Sequence, residues 1–256
     1  SLIKFSGIEY TEWEVIPSPT GEPWEIIPNP AFYDLIFSLN QAGTVYTTLV
    51  CGCFKYDYIA EEWSLLGDIE QMYCMIDIAE SPQDGALYIG DMGSGLYKSM
   101  DGGLNWVQKN QGLTAIVPTY LSVNPNEPSI VYFADVAAGV YRGTQYASKW
   151  ELLKQTTGSL GIIAADPFTQ DRLFASQITA ICRSDDGGKT WPECVDLLIP
   201  EQFLDCQNSI TVLRAHPEVE NVLLAGLRHW CEGEWHYGPG SIYYSDDGGA
   251  SWIRAD

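Results

Sequence analysis

One eight-residue segment occurs three times in this chain, and it constrains the fold more than any other feature. It reads Ser99-Met-Asp101-Gly-Gly103-Leu-Asn105-Trp106, then Ser184-Asp-Asp186-Gly-Gly188-Lys-Thr190-Trp191, then Ser245-Asp-Asp247-Gly-Gly249-Ala-Ser251-Trp252. The pattern is S-x-D-x-G-x-[N/T/S]-W. Each part has a local task. The aspartates fold back onto backbone N–H groups, and the serines add a weaker bond of the same kind. Gly103, Gly188 and Gly249 allow a positive φ where the chain reverses. The tryptophan opens the next strand and buries a large apolar surface. Short apolar strands precede the turn: Gly95-Leu-Tyr-Lys98, Ala180-Ile-Cys-Arg183 and Ser241-Ile-Tyr-Tyr244. A turn of this kind joins two antiparallel strands, and its recurrence marks a repeat architecture.

The tryptophans set the period. Trp63, Trp106, Trp150 and Trp191 follow one another at 43, 44 and 41 residues, the length of a four-stranded propeller blade. Trp191 to Trp252 is 61 residues, so that unit carries an insertion. Within each unit an inner strand runs into a polar turn: Asn124-Pro125, Asp166-Pro167 and His216-Pro217. Short strands with turn signals every 8–12 residues give an all-β class. The expected fold is a β-propeller of four-stranded antiparallel blades over residues 1–256. The blades fall at about 30–66, 72–109, 117–153, 159–195 and 207–256. Residues 1–16 resemble the third and fourth strands of a sixth blade. A segment of a larger propeller is expected; a compact five-blade ring with that strand pair packed outside is the alternative.

The three turns resemble the Asp-box, or bacterial neuraminidase repeat. Proteins that carry it include sialidases, sortilin-type receptors, xyloglucanases and a photosystem II assembly factor, and the resemblance implies a β-propeller. It identifies a superfamily and not a reaction. In that reading Ser99, Asp101, Gly103, Trp106, Ser184, Asp186, Gly188, Trp191, Ser245, Asp247, Gly249 and Trp252 are structural.

Charge narrows the partners. Thirteen Lys and Arg face 34 Asp and Glu, for a formal net charge of -21. Nucleic acid demands a basic footprint and is excluded as a partner. No 18-residue apolar run exists, so no membrane insertion by a helix is expected. No EF-hand loop, zinc spacing, P-loop or dinucleotide fingerprint occurs, so no metal and no cofactor is assigned. The expected partner is a protein or a glycan.

Seven cysteines are present. The blade map places Cys206 and Cys231 on loops of one face. Cys74 should meet Cys51 or Cys53. Cys182 and Cys194 flank one turn; if Ser184 faces Trp191, then Cys182 faces Glu193, one residue out of register. Disulfides would mean an extracytoplasmic location, secreted, periplasmic or at the cell surface. Buried free thiols are the competing reading.

In a four-stranded blade the three-to-four turns and the one-to-two turns share a face, here called the bottom. The two-to-three loops and the blade-to-blade connections share the top, where the resemblance places ligand sites. Most top loops are short, and Asp91 and Asp135 are their carboxylates. The exception is the insertion Leu227 to Gly240, which holds Arg228, His229, Trp230, Glu232, Glu234, Trp235, His236 and Tyr237. Aromatic faces beside carboxylates and an arginine suit a sugar or peptide; a loop that merely covers the blade edge is the plainer reading. Lys55-Tyr56-Asp57-Tyr58 with Glu61 and Glu62 is placed as a second top cluster, and the loop from Leu197 to Cys206 adjoins the insertion. The arginines do not form a sialidase-like triad. Glycoside hydrolysis needs two carboxylates roughly 5–10 Å apart, and no pair stands out, so the catalytic residues are unknown. A noncatalytic binding scaffold is the favoured function. A xyloglucanase-like or sialidase-like glycoside hydrolase acting on polysaccharide is the alternative.

Overall fold

The computed structural model describes residues 2–6, 12–16, 32–49, 52–67, 75–114, 117–135, 139–155, 160–231 and 240–255. Strands β1 (Leu2–Ser6) and β2 (Glu12–Ile16) form a two-stranded antiparallel sheet. Five four-stranded antiparallel sheets follow, each a meander in chain order. Blade 1 is β3 (Phe32–Phe37), β4 (Thr44–Leu49), β5 (Gly52–Asp57) and β6 (Glu62–Leu66). Blade 2 is β7 (Met75–Glu80), β8 (Leu87–Asp91), β9 (Gly95–Ser99) and β10 (Val107–Gln108). Blade 3 is β11 (Pro118–Val123), β12 (Val131–Asp135), β13 (Gly139–Thr144) and β14 (Lys149–Gln155). Blade 4 is β15 (Leu160–Ala165), β16 (Leu173–Gln177), β17 (Ala180–Ser184) and β18 (Glu193–Asp196). Blade 5 is β19 (Gln207–Ala215), β20 (Leu223–Trp230), β21 (Ser241–Ser245) and β22 (Ile253–Arg254).

The first strands β3, β7, β11, β15 and β19 stand side by side around an axis. All five carry a β-bulge, centred about four residues before the strand's end. A bulge sharpens the local twist and bends a strand, and here it recurs at the same level of every blade.

The repeated turns form one hydrogen-bonded design three times. In blade 4 the Ser184 hydroxyl donates to Asp186 Oδ1 at 2.8 Å and accepts from the Gly188 N–H at 2.9 Å. Asp186 accepts from the Thr190 N–H at 2.9 Å and from the Thr190 hydroxyl at 2.6 Å. Ser99 with Asp101, and Ser245 with Asp247, repeat this arrangement. The second glycine also serves packing: a Cβ on Gly188 would lie 2.5 Å from Leu153 Cδ1 of the preceding blade. Blade 3 lacks the segment and turns instead through Gln145, Tyr146 and Ala147, all at positive φ.

Blades are held together by apolar faces. A large second-strand residue of each of the first four blades enters the blade after it: Tyr46 meets Met75, Ile78, Leu87 and Ile89, and Tyr88 meets Leu121, Val131 and Phe133. Tyr132 meets Ile163, Leu173 and Ala175, and Phe174 meets Leu213, Leu223 and Ala225. All four are at most 1% exposed.

Two of the candidate cysteine pairs are bonded, and only the register expected for one of them is corrected. Cys182 lies directly opposite Cys194, because Arg183 rather than Cys182 faces Glu193. A disulfide joins the pair, with Cα atoms 4.0 Å apart. The turn therefore holds one residue more between the strands than the Ser184–Trp191 register would give. A second disulfide joins Cys206 to Cys231. Cys53 is a buried free thiol within blade 1, so of the two expected partners of Cys74 only Cys51 is left; Cys51 and Cys74 lie outside the described residues.

Candidate functional site

Blade 5 is the blade that departs from the others at the top. Its first two strands span nine and eight residues, against five or six in most other blades. The added length pairs Gln207 with Trp230, Asn208 with His229 and Ser209 with Arg228. Period-two alternation then splits the triplet: Arg228 and Trp230 point out, while His229 points in. Trp230 is 51% exposed. The Arg228 guanidinium donates to the Ser209 hydroxyl at 3.3 Å.

His229 is fully buried. Its Nδ1 meets Asn208 Oδ1 at 2.5 Å and its Nε2 meets the Ser241 hydroxyl at 3.0 Å. Its ring stacks on Phe203 with centroids 4.0 Å apart. Asn208 in turn donates to the carbonyls of Phe203 and Cys206. These contacts and the Cys206–Cys231 bridge anchor the root of the insertion on the loop from Leu197 to Cys206. His229 thus fixes the platform on which Arg228 and Trp230 are displayed. Glu232, Glu234, Trp235, His236 and Tyr237 lie outside the described residues.

The carboxylates of the short top loops are committed to the scaffold. Asp91 and Asp135 are both fully buried. Asp91 accepts from the Ser94 N–H and hydroxyl, which closes its own short loop. Asp135 accepts from the Val117 N–H at 2.8 Å. The second expected top cluster is on the other face: Asp57 and Tyr58 enter the β5–β6 turn, which lies at the bottom. Asp57 accepts from the Ile59 and Ala60 N–H groups, and Tyr56 is buried against Trp63. The degenerate sequence of that blade hid its register. His216 at the bottom stands in for an Asx residue, its Nδ1 accepting from the Glu218 and Val219 N–H groups at 3.0 Å.

A second group of polar side chains lies on the axis. Asp34 follows the bulge of β3, Asp77 that of β7 and Tyr120 that of β11. Each aspartate accepts a backbone N–H from the next first strand: Asp34 from Ile78 at 3.3 Å, Asp77 from Leu121. Asp77 is buried, and its carboxyl is also hydrogen-bonded to that of Asp34. Burial first, and the neighbouring Asp34 charge second, push the Asp77 pKa well above the usual carboxylate range. Arg214 of β19 comes to 3.8 Å from Asp34 and lies 4.7 Å over the Tyr120 ring. Below this group a cavity of about 440 Å³ opens toward the bottom, walled by residues such as Ile36, Ala79, Val123, Ala165 and Ala215. The repetition was visible in the sequence, since Asp34, Asp77 and Tyr120 follow at intervals of 43 residues. Their convergence was not, because it depends on the bulges.

Chemically, the axial pair is unsuited to glycoside hydrolysis. Two carboxyls hydrogen-bonded to each other leave no room for a sugar between them, whereas both glycosidase geometries need the roughly 5–10 Å separation. No group of three or more His, Cys, Asp or Glu side chains among the described residues is arranged to hold a metal ion.

No protein-family model and no curated protein matches the sequence. Solved structures do match the fold. An ancestral GH74 enzyme is 15% identical over 88% of this chain and 31% of its own, with a TM-score of 0.65. The GH74 xyloglucanase from Xanthomonas campestris is 14% identical over 87% of this chain and 38% of its own, at 0.67. Hydrazine synthase from Kuenenia stuttgartiensis is 10% identical over 88% and 66%, also at 0.67. The chain thus spans about a third of the length of the first two. At such identities, and with two unrelated chemistries among the neighbours, the shared property is the β-propeller fold.

Proposed function

We propose that this chain is a noncatalytic binding propeller of the Asp-box superfamily, acting outside the cytoplasm on a glycan or protein ligand through the top of blade 5. The observation that carries this reading is the pairing of an exposed Trp230 and Arg228 with a root locked by His229 and a disulfide. An aromatic face held rigid beside a guanidinium binds a sugar ring or a peptide at low entropic cost. The insertion residues Glu232, Glu234, Trp235, His236 and Tyr237 are proposed to extend the same surface. The commitment of Asp91 and Asp135 to backbone hydrogen bonds supports binding over catalysis. Two disulfides support an oxidising compartment.

The GH74 neighbours make xyloglucan the first glycan to try. Isothermal titration against xyloglucan oligosaccharides, beside an assay for released reducing ends, tests the reading. Binding without hydrolysis, weakened at least tenfold in Trp230→Ala, is expected. Sugar release by the parent chain would overturn it in favour of a glycoside hydrolase. Binding that is untouched in Trp230→Ala would move the site off blade 5.

A further inference from the structure

The axial cavity carries a charge that the repeat does not call for. One residue of each first strand pairs with the same second-strand position: Ile36 with Tyr46, Ala79 with Tyr88, Ser122 with Tyr132, Ala164 with Phe174 and Arg214 with Leu224. The five first-strand residues are therefore equivalent by register, and all five line the cavity. Three of them are Ala or Ser, too short to fill the axis. One residue further along, Ala165 and Ala215 are equally short. The space of about 440 Å³ is what these side chains leave open, and it lies within the ~300–1,000 Å³ of small-molecule sites. Four blades pack with an uncharged residue at this position, so blade packing does not explain the arginine of the fifth.

Arg214 is also incompletely paired. A guanidinium is a fork of N–H donors, yet among the described residues Arg214 donates one hydrogen bond, to the Leu213 carbonyl at 3.2 Å. Asp34 stands at 3.8 Å, beyond hydrogen-bond reach, and Tyr120 offers the guanidinium its ring face. Asp34 is meanwhile engaged by the Ile78 N–H and by the Asp77 carboxyl. The Arg214 side chain is 47% exposed, so its remaining donors are open to the cavity. Glu80 is the other charged residue of the described lining. Its Oε1 accepts from the Ser38 hydroxyl at 2.9 Å and its Oε2 from the Leu39 N–H at 2.5 Å, which commits it to the β3–β4 turn. Ile36 and Val123 keep the wall aliphatic, and exposed Phe37 and Leu39 stand at the bottom mouth.

We propose that the axial cavity binds a medium-chain aliphatic carboxylate. Its head takes hydrogen bonds from the Arg214 guanidinium at the inner end, and its chain runs down between the alanine walls to Phe37 and Leu39 at the mouth. Each half of the site asks for one half of this ligand. A neutral apolar molecule would fill the walls and leave the guanidinium donors unmet, which is costly in an apolar surround. A small free anion would meet the donors and leave the walls wet. A carboxylate matches the planar fork of arginine in a charge-assisted bond, and the aliphatic tail drives water from the wall. The site lies on the axis and toward the bottom, so it does not rest on the ligand role proposed for the top of blade 5.

Isothermal titration of the chain with sodium octanoate, sodium hexanoate and octanol tests the site, in about 150 mM NaCl, where repulsion from the net charge is screened beyond roughly 8 Å. Octanoate is expected to bind saturably at one site. Hexanoate should bind roughly tenfold more weakly, because two fewer methylenes are buried. Octanol with the parent chain, and octanoate with Arg214→Met, should each lose roughly tenfold or more, because the charge-assisted bond is gone. Ala79→Leu should abolish octanoate binding by filling the cavity while the arginine stays, and Trp230→Ala should leave it unchanged. The comparison of octanoate with octanol needs no variant, so it decides even if a variant fails to fold. No saturable octanoate binding, or octanol bound as tightly as octanoate, would overturn the proposal. So would octanoate binding that survives in both Arg214→Met and Ala79→Leu, which would put the ligand elsewhere on the surface.

Discussion

At the scale of single residues, the aspartates divide by environment into two sets with opposite pH behaviour. Hydrogen bonds from Asn105 and Thr190 hold Asp101 and Asp186 at about 2, and those from Ser251 and its neighbours hold Asp247 low as well. Their folded pKa lies below the unfolded value. They therefore stabilise the fold above about pH 4, and this support is lost as pH falls through about 2. Asp77 is the reverse case. Its folded pKa is raised, so its contribution is full below about pH 4 and declines as pH rises toward the folded value. An asparagine can donate to Asp34 as the protonated carboxyl does and still accept from Leu121. Chemical denaturation from pH 4 to 8 should show Asp77→Asn with a flatter loss of stability than the parent. Asp77→Ala should be less stable throughout by about 1–3 kcal/mol, because it strands the buried Leu121 N–H.

At the scale of the strand, equivalent positions carry very different energies. Phe174 and Leu224 occupy the same register position one blade apart, the first fully buried and the second half exposed. Phe174→Ala should cost about 3–5 kcal/mol through the cavity it leaves. Leu224→Ala should stay within about 0.5 kcal/mol. Urea unfolding of both variants checks the contrast, and a large loss in Leu224→Ala would mean that the face is already covered in solution. The same comparison shows what the sequence made legible. Leu224 reads as one more apolar residue of a second strand, because its role in the repeat is set by register. Its exposure depends on whether another sheet follows, which no local pattern encodes. The turns were legible down to their hydrogen bonds, because Ser, Asp and Gly act within eight residues of one another.

For the molecule as a whole, a net charge of -21, with few ion pairs among the described residues, leaves substantial self-repulsion. Screening should relieve it. The Tm is expected to rise between about 10 mM and 150 mM NaCl, over which the Debye length falls from roughly 30 to 8 Å. A fall in Tm would mean that the arginines at Asp185 and Asp34 outweigh the repulsion. Exposed pairs such as Arg183–Asp185 are each worth little in salt, which favours the first outcome.

The sequence by itself determined the blade: its length, its four strands and its bottom turns. All of these follow from residues close in the chain or from a period that repeats. Tertiary structure alone decided which side chains meet across blades. It buried His229 while leaving Trp230 out, sent the Lys55–Tyr58 segment to the bottom, and set Cys182 opposite Cys194. It also gathered Asp34, Asp77, Tyr120 and Arg214 at the axis, since bulges in separate strands aim them there. The physical reason is the same in each case. Alternation and turn chemistry act over a few residues, whereas a one-residue bulge or register shift moves a side chain from one face to the other.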